Sequence, residues 1–323
     1  MSFGMKGVFA AATLALAITL GGCAGAPAAK PEEPTPAADM GPPPVSFRML
    51  YDLAFDSRGR IYLSDTKACR VYRMDDLSGA GLVALGRPGW EAGRFLQPMG
   101  MAIDARDRIY VADQGKRSVV RVDDISGEGW TELSLATLLP NGNPRGLTLD
   151  SHGRIYVSDE RMARILRVDG IEGTNPQVYA GGEGAAKLSI PTGLAVDPQG
   201  RLLIADTGNY RIVRIDDMGG AGWTSLQPDP MGGDQWDYPY AVFVDAQGRI
   251  YISDSHGRRI VFADAMDATS FRSFTTKDEA KGDRMFPVGL RIGPDGALWY
   301  IDQGNFRVVR LDPSGRIDFF SQR

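Results

Sequence analysis

The heptapeptide Gly59-Arg60-Ile61-Tyr62-Leu63-Ser64-Asp65 returns five more times along the chain with changes, ending at Asp113, Asp159, Asp206, Asp254 and Asp302. The steps between these aspartates are 48, 46, 47, 48 and 48 residues. Nine positions before each lies Asp56, Asp104, Asp150, Asp197, Asp245 or, in the last copy, Gly293. Five positions after lies Arg70, Ser118, Arg164, Arg211, Arg259 or Arg307. Self-similarity at a fixed period marks a repeat architecture, whose units bury their apolar faces only against one another.

Each copy reads as four short strands, a to d. In the second copy Gly100 to Ile103 is strand a, Ile109 to Ala112 strand b, Val119 to Val122 strand c, and the segment around Trp130 to Leu135 the outer strand d. Between a and b sits Asp-x-x-Gly or a variant, a tight hairpin whose Gly accepts a positive φ; Asp107 takes that place in the second copy. Strand b is apolar on both sides, as stacking between neighbouring sheets requires. Four strands at a period near 47 predict an all-β fold, a six-bladed β-propeller of four-stranded antiparallel blades over residues 45–323. Ring closure stays open at this level: Ile317 to Phe320 completes the sixth blade alone, or Val45 to Arg48 contributes.

The lead-in Gly89-x-x-x-Gly93-x-Phe95-x-x-Pro98-x-Gly100, echoed by Pro144-x-Gly146, Pro191-x-Gly193 and Pro287-x-Gly289, resembles the NHL repeat. Tyr51-Asp52 in the first copy and Ala241 in the fifth depart from it. The resemblance implies a propeller. It also brings in two enzyme groups on similar propellers, amidating lyases that hold zinc through histidines and gluconolactonase-type hydrolases that use a divalent cation. Against the first, the only histidines are His152 in an a–b turn and His256 in a b–c turn, at opposite ends of a blade, too few and too far apart for a three-ligand zinc site. Against the second, strand a begins at Tyr51, Met99, Arg145, Thr192, Tyr240 and Val288, with Asp52 alone acidic nearby, whereas a hard cation wants several oxygens. No nucleophile elbow and no phosphate loop occurs. No cofactor, metal or catalytic residue is predicted, and the repeated Asp65, Asp113, Asp159, Asp206, Asp254 and Asp302 are read as structural caps of the b–c turns.

The expected binding surface is the end of the propeller where strand a begins and strand b finishes. It would carry Tyr51, Lys67, Met99, Lys116, Arg117, Arg145, Arg161, Tyr210, Tyr240, His256, Arg258 and Phe306, with Glu160 its one acid besides the motif Asp. The opposite end collects Asp75-Asp76, Asp123-Asp124 and Asp216-Asp217, plus the first Asp of each a–b hairpin. A chain with a formal net charge of −4 would thus be dipolar, basic at one end and acidic at the other. The expected role is a non-catalytic binding or scaffolding protein that recognises a protein or an anionic glycan. The alternative is a metal-dependent hydrolase or lyase. Nucleic acid is not expected, since composition is not basic overall.

Residues 1–22 read as a lipoprotein signal peptide. Lys6 is followed by an uncharged run from Val8 to Leu20, too short to span a bilayer. Leu20-Gly21-Gly22-Cys23 resembles the bacterial lipobox, which implies lipidation of Cys23 and export to a cell-envelope membrane. Ala24 after it resembles lipoproteins sent on to the outer membrane. Residues 23–44, with Pro27, Pro31, Pro34, Pro36 and Pro42 to Pro44, form an extended tether at about 3.1 Å per residue. Cys69 then has no disulfide partner and reads as a packing residue.

Overall fold

The computed structural model describes residues 47–228, 231, 235–275 and 285–321. The expectations for Cys23, the leader and the tether lie outside these residues. Six four-stranded antiparallel sheets, each with its strands in sequence order, make a six-bladed propeller. Strand a is Leu50–Phe55, Pro98–Ile103, Pro144–Leu149, Pro191–Val196, Pro239–Val244 and Pro287–Ile292 in blades one to six. Strand b is Ile61–Asp65, Ile109–Asp113, Ile155–Asp159, Leu202–Asp206, Ile250–Asp254 and Leu298–Asp302. Every residue of all six b strands is buried. Burial on both faces is what joins the blades, because the apolar clusters between them draw side chains from neighbouring sheets.

Glycine at the third residue of strand a sets how closely the inner strands approach. A Cβ on Gly146 would sit 2.1 Å from the Thr192 carbonyl oxygen, and one on Gly193 would sit 2.6 Å from Ala241 Cα. Side-chain hydroxyls then tie blade to blade. Ser64, Ser158 and Ser253 accept from their own strand a and donate to the Met99, Thr192 and Val288 carbonyls of the next. The residue after the motif Asp adds a second tie: Thr66, Thr207, Ser255 and Gln303 donate to the carbonyls of Pro98, Pro239, Pro287 and Leu50, each the first residue of the following strand a.

The ring closes without a shared sheet. The sixth blade takes all four strands from the C-terminal part, ending with Ile317–Ser321. The N-terminal side contributes a side chain instead. Phe47 lies edge-on to Tyr72 of blade one at 5.4 Å and to Phe320 of blade six at 5.8 Å. Farther along the same seam Phe55 meets Trp299 at 5.3 Å.

Candidate functional site

The six motif aspartates are wholly buried. Each accepts the backbone N–H of the segment leading into its own strand a, from Arg48 and Met49, Leu96 and Gln97, Asn143, Ser189, Asp237 and Phe286 in turn. In blades three to six the Arg five residues on, Arg164, Arg211, Arg259 and Arg307, donates Nε to the second oxygen at 2.8–2.9 Å. These carboxylates lock blade entry to blade turn. The four-residue step from the motif Asp reaches Cys69, Arg117, Ala163, Tyr210, Arg258 and Phe306, and all six are left-handed, φ 51–56°. This shared conformation governs how the b–c turns present their side chains. Cys69 spends it inward, with its thiol donating to the Leu96 carbonyl at 2.9 Å and burial pushing its pKa up. Tyr210 and Phe306 spend it outward, 53% and 41% exposed.

The predicted basic residues divide. Lys67, Arg161 and Arg258 project into solvent. Lys116 does not: its side chain is 1% exposed, pairs with Glu132 at 3.1 Å and lies over the Trp130 ring. Arg117 turns its guanidinium to the Leu139 carbonyl. Tyr51, Met99 and Tyr240 are buried at the axis. His256 is half-exposed, stacked on Tyr238 at 4.5 Å and 3.6 Å from Asp237. The expectation that hairpin aspartates charge the opposite end needs correcting. Asp56, Asp104, Asp150, Asp197 and Asp245 each bind the Arg four residues on, so those charges are matched within the turn.

Arg145 closes the channel mouth. Its Nε donates to the Tyr51 hydroxyl at 2.9 Å, a terminal nitrogen donates to the Tyr240 hydroxyl, and the other pairs with Glu160. The guanidinium also lies over both rings, 5.8 Å from the Tyr51 centroid and 4.9 Å from that of Tyr240. Burial raises both phenol pKa values, so the hydroxyls stay protonated. Asn143 Nδ2 holds the other Glu160 oxygen at 2.7 Å. Below this plug Asp52 stands in the glycine position of the repeat. Its carboxylate accepts from the backbone of Leu53 and Met101 and, at 3.2 Å, from Arg291. Burial raises its pKa and Arg291 opposes that. The channel between them encloses about 20 Å³, room for roughly one water.

The channel does not fit a divalent cation of the kind the propeller enzymes use. Its mouth presents a guanidinium, and its carboxylate is already engaged by a cation and two N–H groups. Among the described residues no group of three His, Cys, Asp or Glu side chains is placed to hold a metal. Arg291 escapes a reading of strand starts. The signal is its register: Ala54, Ala102, Thr148, Ala195 and Phe243 hold the same place in the other blades, uncharged.

Residues 188–215 match the NHL repeat family, so the chain carries at least one repeat of that kind within its propeller. No curated protein matches the chain. Among solved structures it is similar to a catalytically inactive His-to-Ala variant of virginiamycin B lyase from Staphylococcus aureus with quinupristin (17% identity, 86% of each chain, TM-score 0.62). It is similar to a chain of a nidogen–laminin complex (20% identity, 79% of this chain and 91% of that one, TM-score 0.61). It is also similar to a gluconolactonase from Xanthomonas campestris (18% identity, 80% and 84%, TM-score 0.58). At these identities the likeness is one of fold.

Proposed function

We propose that the protein is a non-catalytic recognition module that binds an acidic partner, a protein or an anionic glycan, through the end formed by the b–c turns. The filled channel mouth carries this reading: Arg145, Tyr51, Tyr240 and Glu160 meet there, and the cavity beneath, about 20 Å³, is far below ligand size. The outer surface supports it. Every exposed large apolar side chain of the described residues lies at this end, as Trp90, Met162, Ile190, Tyr210, Met231 and Phe306, or on outer strands, as Val178, Ile317 and Phe319. Exposed apolar groups interspersed with Lys67, Arg161 and Arg258 suit a partner that is both apolar and acidic. We place this module at the cell envelope, held through lipid on Cys23, where several acyl chains anchor well and one only marginally.

The test is capture of partners from envelope extract by the full chain, against a Lys67→Glu, Arg161→Glu, Arg258→Glu variant. Loss of capture in the folded variant, and salt sensitivity in the parent, are expected. Equal capture by both removes the reading. An enzyme is the second reading, favoured by the lyase and gluconolactonase among the structural neighbours. Stabilisation by calcium or zinc, reversed by EDTA, in a thermal shift measurement would support it.

A further inference from the structure

Two departures from the repeat meet at the axis. The residue after the motif Asp is Thr66, Gln114, Glu160, Thr207, Ser255 and Gln303 in the six blades, and four of these tie their blade to the next strand a. Glu160, when ionised, has no proton to donate, so blade three gives up that tie. The second residue of strand a is charged only in blade three, as Arg145, and Glu160 pairs with it. Natural sequences break their own local rules mostly where function requires it.

The pair is also open to exchange. The Arg145 and Glu160 side chains are 19% and 17% exposed at the mouth. The Arg145 guanidinium is a rigid seat, fixed by two protonated phenols and walled by the same two tyrosine rings. Glu160, by contrast, belongs to a b–c turn, and its other side-chain hydrogen bond comes from the neutral Asn143 amide. Gln114 Nε2 is buried and has no hydrogen bond, so blade two also lacks the tie that Gln303 makes to Leu50.

We propose that Arg145, framed by Tyr51 and Tyr240, is a carboxylate-recognition site, that Glu160 occupies it as an internal stand-in, and that an acidic side chain of a protein partner displaces Glu160 on binding. This rests on the reading of the b–c end as the binding surface. A peptide is favoured over a glycan by the exposed apolar side chains on the b–c turns of the same end, Met162, Tyr210 and Phe306. Arginine suits the role because its several donors let it keep both phenol bonds while the remaining terminal nitrogen binds a carboxylate.

The probe is a fluorescein-labelled dodecapeptide of alternating Glu and Leu, read by anisotropy with the full chain, with an oligogalacturonate as the glycan arm. Glu160→Gln removes the competing charge and is expected to tighten peptide binding about tenfold. Arg145→Gln is expected to weaken it by at least as much, and the double variant to show no tightening. Arg145→Lys, which keeps the charge but loses the fork, covers the case in which Arg145→Gln fails to fold; it too should lose the peptide. Unchanged affinity in Glu160→Gln, or tightening that survives Arg145→Gln, overturns the site. Tightening toward the galacturonate alone overturns the partner class. If the Lys67, Arg161 and Arg258 variant weakens binding while Glu160→Gln changes nothing, this inference fails and the surface stands. If neither changes it, both fail.

Discussion

Asp206 is a motif carboxylate with bonds to every part of its blade entry and turn. It is fully buried, accepts from Ser189 N–H, Asn209 Nδ2 and Arg211 Nε, and so joins blade entry, turn and strand c at a single carboxylate. Removing it leaves the Arg211 guanidinium, itself 9% exposed, without its counter-ion. Asp206→Ala is expected to cost about 3 kcal/mol, the range for breaking a buried pair by deleting one partner, read from urea midpoints. The hairpin carboxylates are tuned within their own turns. Burial alone would raise Asp150, but hydrogen bonds from the Arg154 side chain and backbone outweigh it and hold the carboxyl below its ordinary value. Asp56, Asp104 and Asp245 are held down in the same way. Stability from such groups is present above the unfolded value of about 3.9 and is lost as pH falls through the folded one. Asp52, raised by burial, runs oppositely: its contribution is present at low pH and is lost as pH rises through its folded value. Among the described residues depressed carboxyls outnumber the two raised ones, Asp52 and Asp254, so thermal stability should fall below about pH 4. Asp150→Asn should lose about 1 kcal/mol at pH 7 and show a shallower acid limb in a melting series.

At the level of strands and turns, the inner strands tolerate almost nothing at their third residue. Gly146→Ala would drive a Cβ to 2.1 Å from the Thr192 carbonyl, so the blades must part. A loss of about 3 kcal/mol or failure to fold is expected, and a melting temperature equal to the parent's would refute the close-approach argument. The b–c turns carry strain of another kind. A non-glycine residue in the left-handed region costs roughly 1–2 kcal/mol, and Tyr210 and Phe306 bear that cost while standing exposed. Tyr210→Gly and Phe306→Gly should each gain about 1 kcal/mol at most, since glycine gives part of the relief back through its unfolded-state entropy. Both should weaken partner capture. This level was the most legible from sequence, because hairpin, b strand and motif Asp recur at one spacing. The left-handed step was hidden, since Cys69, Arg117, Ala163, Tyr210, Arg258 and Phe306 share no chemistry that betrays a backbone angle. The same holds for Lys116: its place in the turn was readable, while its burial against Trp130 and Glu132 depends on an outer strand whose path the repeat leaves free.

For the molecule as a whole, blade number and strand order followed from period alone, and the axial plug did not. Tyr51, Arg145 and Tyr240 occupy the same register in blades one, three and five, but their meeting depends on how steeply six inner strands converge. Ring closure likewise needed coordinates, since a phenylalanine contact leaves no pattern in a repeat. Phe47→Ala should cost about 3–5 kcal/mol in urea unfolding, as for other large buried aromatics. Deleting residues 1–45 should leave the midpoint in place. A Phe47→Ala midpoint matching the parent's would mean the seam is held elsewhere.

Phe47 and Phe320 bring the two described ends of the chain to one boundary, and neither end lends a strand to the other's sheet. Connectivity across that boundary is therefore interchangeable with connectivity across any other. A short linker from 321 to 47, with new termini cut between two other blades, keeps every sheet intact. The circularly permuted chain would keep its set of blade–blade contacts and change only which junction is left without a covalent link.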